Sequence, residues 1–168
     1  MTEPVQRRFG RSGTTSPQAG LDWRHDDPVP PLDTVDTWLF RPHHLMCWQT
    51  YRGKGYSEAF VANFDRLKVA AVERPDQPIQ LAIATDPICE PCPHRRAATC
   101  ETAESNDARD QALLDETGFN VGEVLALDAA LATVAPRFLE LQAHVCVGCK
   151  WQTFCRETFV AGDPQEMR

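Results

Sequence analysis

Apolar residues recur at helical spacing after Ser57. Phe60, Phe64, Leu67 and Ala71 share one face, with charged and small residues between them. Ser57 suits an N-cap and Glu58 a first turn, so a helix is predicted from there to about Val72. Pro75 and Pro78 end it, and Ile79, Leu81 and Ile83 alternate with Gln80 and Ala82 as in a short strand. A charged helix follows from Ala103 to Glu116, stopping at Gly118. The next spans about Gly122 to Val134 on a stripe of Val124, Leu127, Leu131 and Val134. Pro136 opens a third, carrying Phe138, Leu139 and Leu141. Nearer the N-terminus, Pro42 to Trp48 reads as a short helix and Arg52-Gly53-Lys54-Gly55-Tyr56 as a loop.

Residues 1–36 read as a disordered leader, rich in Pro, Thr and Asp, with Trp23 and Trp38 suited to pinning it onto the domain. Residues 37–160 form the expected cysteine-rich metal- or iron–sulfur-binding domain, and 161–168 a flexible tail. The fold class expected is mainly α (α+β): a small helical domain with one short strand region and two cysteine-rich metal-binding loops.

Those loops dominate the chemistry. Six of the seven cysteines fall in two triplets. Cys89, Cys92 and Cys100 form C-x2-C-x7-C, and Cys146, Cys149 and Cys155 form C-x2-C-x5-C. A C-x2-C turn lets two thiolates grip one ion or cluster, and a third thiol closes the cage from a neighbouring segment. Pro87, Pro91 and Pro93 stiffen the first loop, while Gly148 and Lys150 mark a turn in the second. All six are expected ligands of one [4Fe–4S] cluster, with zinc as the alternative cofactor. Zinc sites want four closed ligands, and zinc ribbons pair two C-x2-C knuckles on hairpins, whereas these triplets lie between helices. Cys47 follows His43 by four residues and His44 by three, so the three share a helix face. They are the candidate catalytic residues: Cys47 as a seventh ligand or reactive thiol, the histidines as its partners or as backbone-bonded structural groups.

Charge and composition narrow the partners. A formal charge of -7 on 168 residues argues against general nucleic-acid binding. No apolar run approaches the roughly 20 residues needed to span a bilayer. Arg7-Arg8-Phe9 faintly resembles an export signal, but the polar residues from Gly10 to Gly20 lack the apolar segment it requires. A cytoplasmic protein is expected, where clustered thiols serve as metal ligands more often than as disulfides. A negative domain suits docking on a partner redox protein or enzyme. Arg52-Gly53-Lys54-Gly55 matches no phosphate-loop motif and reads as a turn leading into a helix. Glu101, Glu104, Asp107, Asp110, Asp115 and Glu116 read as a solvated helix face.

Several blocks carry a family resemblance: Arg41-Pro42-His43-His44-Leu45-Met46-Cys47, Gly53-Lys54-Gly55-Tyr56-Ser57, Phe60-Val61-Ala62-Asn63-Phe64-Asp65, Asp86-Pro87-Ile88-Cys89 and Cys146-Val147-Gly148-Cys149-Lys150-Trp151. Over roughly Phe40 to Cys155 the chain resembles the domain-of-unknown-function family 1284 of bacteria and archaea. That resemblance implies iron–sulfur binding and brings no established reaction. Three roles follow as expectations: an iron–sulfur protein with a redox or cluster-dependent role, a zinc-stabilised interaction module without catalysis, or an enzyme. The enzyme would use a three-cysteine [4Fe–4S] cluster with an open iron as a Lewis acid, for sulfur removal or dehydration.

Overall fold

A computed structural model describes residues 36–97 and 99–162. The expected leader, but for Asp36, and the tail beyond 162 lie outside the described residues, as does Trp23. The pattern's central helix forms as expected: α2 will denote Glu58–Glu73, and the Ser57 hydroxyl accepts the Phe60 N–H at 3.1 Å. Its Phe60, Phe64 and Leu67 are buried.

Strand β1 (Trp38–Phe40) leads into α1 (His44–Thr50) and α2, and the chain returns as β2 (Pro78–Leu81), parallel to β1 with Trp38 opposite Ile79. A short hairpin, β3 (Arg95–Arg96) and β4 (Thr99–Cys100), precedes α3 (Ala103–Thr117). The chain then forms β5 (Val124–Ala126), α4 (Leu127–Val134), α5 (Phe138–Val145) and α6 (Gln152–Ala161). The result is mainly helical with small sheets. Trp38 is only 2% exposed: it belongs to β1 and the core. Phe40, Leu45, Leu67, Ile79, Leu113 and Leu141 belong to that one core. No helix among the described residues is long and apolar enough to cross a membrane.

Besides β1 and the β3–β4 hairpin, which the sequence pattern also does not predict, two elements depart from it. Residues 122–126 are a turn and a strand, where periodicity predicts the start of a helix. The Gly122 N–H donates to Leu81 O at 2.7 Å and the Leu81 N–H to Glu123 O at 3.0 Å, so β5 extends the sheet antiparallel to β2. Long-range pairing outweighs local helix preference there, and Val124 is left 57% exposed. The second departure is α6, which the sequence pattern does not predict.

A buried ion network ties α3 to the start of α1. Asp110, fully buried on α3, accepts from Arg41 Nε at 2.8 Å and from the His43 N–H at 3.0 Å. Arg41 is itself buried, and its guanidinium also pairs with half-exposed Asp107. Asp110 therefore corrects the solvated-face reading of the α3 acids. It lies three and four residues before buried Leu113 and Leu114, on the inward stripe of the helix. Replacing Asp110 with Ala strands a buried guanidinium and is expected to cost about 3–5 kcal/mol in urea denaturation. Asp107→Ala, with water as a substitute partner, should cost less than about 1 kcal/mol.

Candidate metal centre

Each triplet is built on a tight turn. In the first, Asp86 caps a single 3-10 turn, Pro87–Cys89. Its Oδ1 accepts the N–H groups of Ile88 (3.0 Å) and Cys89 (3.2 Å). The Cys92 N–H donates to Cys89 O and the Arg95 N–H to Cys92 O, both at 3.0 Å, so the two thiols ride one compact knuckle. The backbone amides of His94 and Arg95 ease ionisation of the Cys92 thiol, but burial outweighs them. The β3–β4 hairpin sets Cys100 opposite Arg95, and Cys100 Sγ accepts from Asn106 Nδ2 at 3.5 Å.

The second turn joins α5 to α6. Cys146 caps α5, and the Cys149 N–H donates back to Cys146 O at 3.0 Å. Gly148 between them has φ +68°, a left-handed conformation that any other L-residue adopts only with strain. Cys155 sits one turn into α6, the helix that packs on α1.

All seven cysteines line one cavity of about 140 Å³. None forms a disulfide, and each keeps partial accessibility. Cys47 lies deep in the protein, yet it retains accessible surface because it faces this cavity. An aromatic collar links the two triplets: the Tyr56 ring packs edge-on against both His94 (4.8 Å) and Trp151 (5.7 Å). Lys150 sits over Tyr56 at 4.2 Å. Gly55 allows this approach, since a Cβ there would fall 2.3 Å from Phe60 Cδ1. The Arg52–Tyr56 segment thus forms the expected turn into α2, closing the cavity with its aromatic end.

His43 and His44 line the same cavity, each held by a buried carboxylate. His43 Nδ1 lies 2.6 Å from Asp110 Oδ1, and His44 Nδ1 lies 2.6 Å from Asp86 Oδ2, which also accepts the Arg41 N–H at 2.9 Å. Burial acts against the charge of both acids, but the His and Arg partners outweigh it and hold them below the ordinary 3.8. Both are therefore carboxylates at neutral pH, and each imidazole must donate through Nδ1–H. Nε2 of each ring is left as the nitrogen free to accept a proton or bind a metal. Burial, reinforced by neighbouring His44, pushes His43 from 6.5 down to about 4 despite Asp110, so that ring is neutral.

His44, Asp86 and Cys89 each offer a donor atom within 4.8 Å of the others, an arrangement that can hold a metal ion. Because both Asp86 oxygens already accept two hydrogen bonds each, we read Asp86 as the group that orients His44 and the Cys89 turn. Asp86, Asp110 and Tyr56 were named in the sequence but given no role at the site. The signals were an Asp-Pro helix-start pair three residues before Cys89, and an Asp on the apolar stripe of α3.

The thiols themselves are poised to exchange protons for metal. Burial pushes Cys47 and Cys89 well above the ordinary 9.0, raises Cys92 and Cys155, and moves Cys146 up to about 12. Free of metal they are neutral thiols, and a bound cation would supply the charge that makes them thiolates. Seven sulfurs on one cavity, an amide donor at Cys100 and a neutral imidazole fit a thiolate-ligated metal centre.

Two outcomes follow. Unfolded His43 takes up a proton near pH 6.5, whereas the folded protein resists until about 4, so stability must fall as pH drops through that window. Asp86 and Asp110 extend the loss below 3.8, and the urea midpoint should decline steadily over the whole range. An unchanged midpoint between about pH 7 and 5 would contradict a buried neutral His43. Gly148→Ala should cost about 1–2 kcal/mol and weaken metal retention more than an Ala substitution at exposed Val147.

No curated protein and no solved structure matches the chain. A family match does exist, beginning after the Arg41–Cys47 block and taking in six of the seven cysteines. Covering residues 55–155 of 168, it makes this protein a member of the family described as Protein of unknown function (DUF1284).

Proposed function

We propose that this protein binds iron–sulfur in the cysteine-lined cavity, drawing on thiols of both triplets, and serves electron transfer or cluster-dependent chemistry. One observation carries the reading: seven cysteines from four separate stretches of chain meet at a single cavity wall. A structural zinc site and a [4Fe–4S] cluster each take four ligands, so the preference for iron comes from the family resemblance and not from the number of thiols. Cys89, Cys92, Cys100, Cys146, Cys149, Cys155 and Cys47 are the residues that would hold the group. Iron–sulfur centres supply one-electron transfer, and an open iron supplies Lewis acidity. The chain's own residues do the rest. Tyr56 and Trp151 flank the cavity, while Asn106 donates to the Cys100 sulfur, a contact that would raise a centre's potential.

The two His–Asp pairs favour a second reading, an enzyme with an open iron site. Electron carriers have no need of oriented imidazoles beside the metal, whereas a lone-pair Nε2 on the cavity wall can move a proton to or from a bound substrate. In either case a cytoplasmic protein with a negative surface would dock on a partner redox protein or enzyme.

Anaerobic purification followed by iron, sulfide and zinc analysis tests the first reading. The expected product is brown, with near-equal iron and sulfide. A colourless protein with stoichiometric zinc would sink it and leave an interaction module. For the enzyme reading, small thiol or carboxylate ligands should shift the paramagnetic resonance of the reduced protein; an indifferent resonance argues for a carrier. Because the thiols begin protonated, uptake of cobalt(II) by the metal-free chain should tighten from about pH 6 to about pH 8.

A further inference from the structure

We propose that Arg109 is a positioning residue of the metal centre: it ties the two cysteine triplets together and donates its Nε–H to the anionic sulfur centre they form. The inference rests on the metal-binding reading of the cavity but not on which metal it takes.

One face of α3 borders the sulfurs. Thr102, Asn106 and Arg109 follow one another at four- and three-residue spacing, and all three line the cavity. Buried Asp110, next in the chain, fixes the helix on Arg41 and His43, which holds this face in place.

From that face a run of hydrogen bonds crosses from one triplet to the other. The Cys100 sulfur lies 3.4 Å from the Thr102 hydroxyl and accepts from Asn106 Nδ2 at 3.5 Å. Asn106 Oδ1 in turn accepts from Arg109 Nη1 at 2.7 Å. That bond settles which end of the amide faces sulfur: a guanidinium only donates, so it takes the oxygen and leaves the NH2 group to Cys100. Arg109 Nη2 reaches the turn between α5 and α6, donating at 3.3 Å to the carbonyl of Val147, which lies between Cys146 and Cys149. One side chain thus holds the knuckle of the second triplet and, through Asn106, the last thiol of the first.

Its charge has no counterpart in the protein. Among the described residues no Asp or Glu lines the cavity, and Arg109 makes no ion pair. Arg41, by contrast, is matched by Asp107 and Asp110, and exposed Lys54 sets its ammonium over the Phe154 ring. The Nε of Arg109 is buried and has no acceptor. A buried donor on a cation is costly to leave unpaired, which calls for an acceptor that arrives with the metal. Thiolate sulfur, formed when a metal displaces the thiol protons, supplies both the acceptor and the negative charge. A cation and a donor beside such a centre favour its reduced, more negative state and raise its potential.

The full chain, loaded anaerobically with iron and sulfide, is compared as wild type, Arg109→Lys and Arg109→Gln. Lysine keeps the charge but lacks the fork that serves Asn106 and Val147 at once, whereas glutamine loses the charge. Arg109→Gln should shift the reduction equilibrium about tenfold toward the oxidised form, a fall of about 59 mV for a one-electron centre. Arg109→Lys should recover most of that fall, yet release metal to a chelator faster than wild type. Equal potentials in wild type and Arg109→Gln overturn the proposal. An equal fall in both variants also overturns it, since that marks a purely structural role.

Because either variant can misfold, the wild-type chain carries a second measurement. Its metal-free, 15N-labelled form is titrated with cadmium while the Arg109 Nε–H signal is followed by NMR. Cadmium uptake should move that signal and slow its exchange with water, as bonding to sulfur requires. A signal indifferent to bound cadmium overturns the proposal. If cadmium binds but iron–sulfur does not assemble, the iron–sulfur reading fails alone and the Nε–H response still decides this one. A chain that binds neither defeats both.

Discussion

The carboxylate of Asp110 is the constraint on which the rest of the structure depends. It is removed from water entirely and satisfied by Arg41 and His43 from the far side of the chain. Arg41 in turn gives its backbone N–H to a second buried carboxylate, Asp86. Two acids from separate segments thus clamp one short stretch, Arg41 to His44, and fix the direction in which α1 leaves it. Buried ion networks of this kind contribute little net stability, because desolvation offsets much of the attraction, but they tolerate few alternative arrangements. Here the fixed quantity is the face of α1 that carries His44, Cys47 and Thr50.

The same clamp explains how chemistry and fold share residues. Asp86 caps the Cys89 turn with one oxygen and orients His44 with the other. Asp110 anchors α3 and, through His43 Nδ1, frees the opposite ring nitrogen. Neither histidine is a simple core residue, since each is held by a carboxylate and borders the sulfur-lined cavity. Metal-free, the cavity wall carries the neutral thiols of Cys47, Cys89 and Cys146. A bound cation would add the charge that draws these segments together, coupling metal uptake to the stability of the turns that supply the ligands.

Much of this was legible in the chain. The Ser57 cap and the Phe60–Phe64–Leu67 stripe define α2, and both C-x2-C pairs form the turns their spacing demands, with Gly148 where a left-handed residue is required. These are local features, set by dihedral preference and by side-chain period, and neighbours within four residues decide them. Residues 122–126 followed the same rules yet formed a turn and strand β5, because β2 offered its N–H and C=O groups.

Sequence by itself therefore determined a mainly helical, cysteine-rich domain with two thiol turns, since those follow from spacing along one chain. Only the tertiary structure decided that the seven thiols share one cavity and that Asp110 is a buried anchor. Each of these depends on which helix faces meet, and that is set by the packing of segments 40 to 100 residues apart, to which local periodicity is blind.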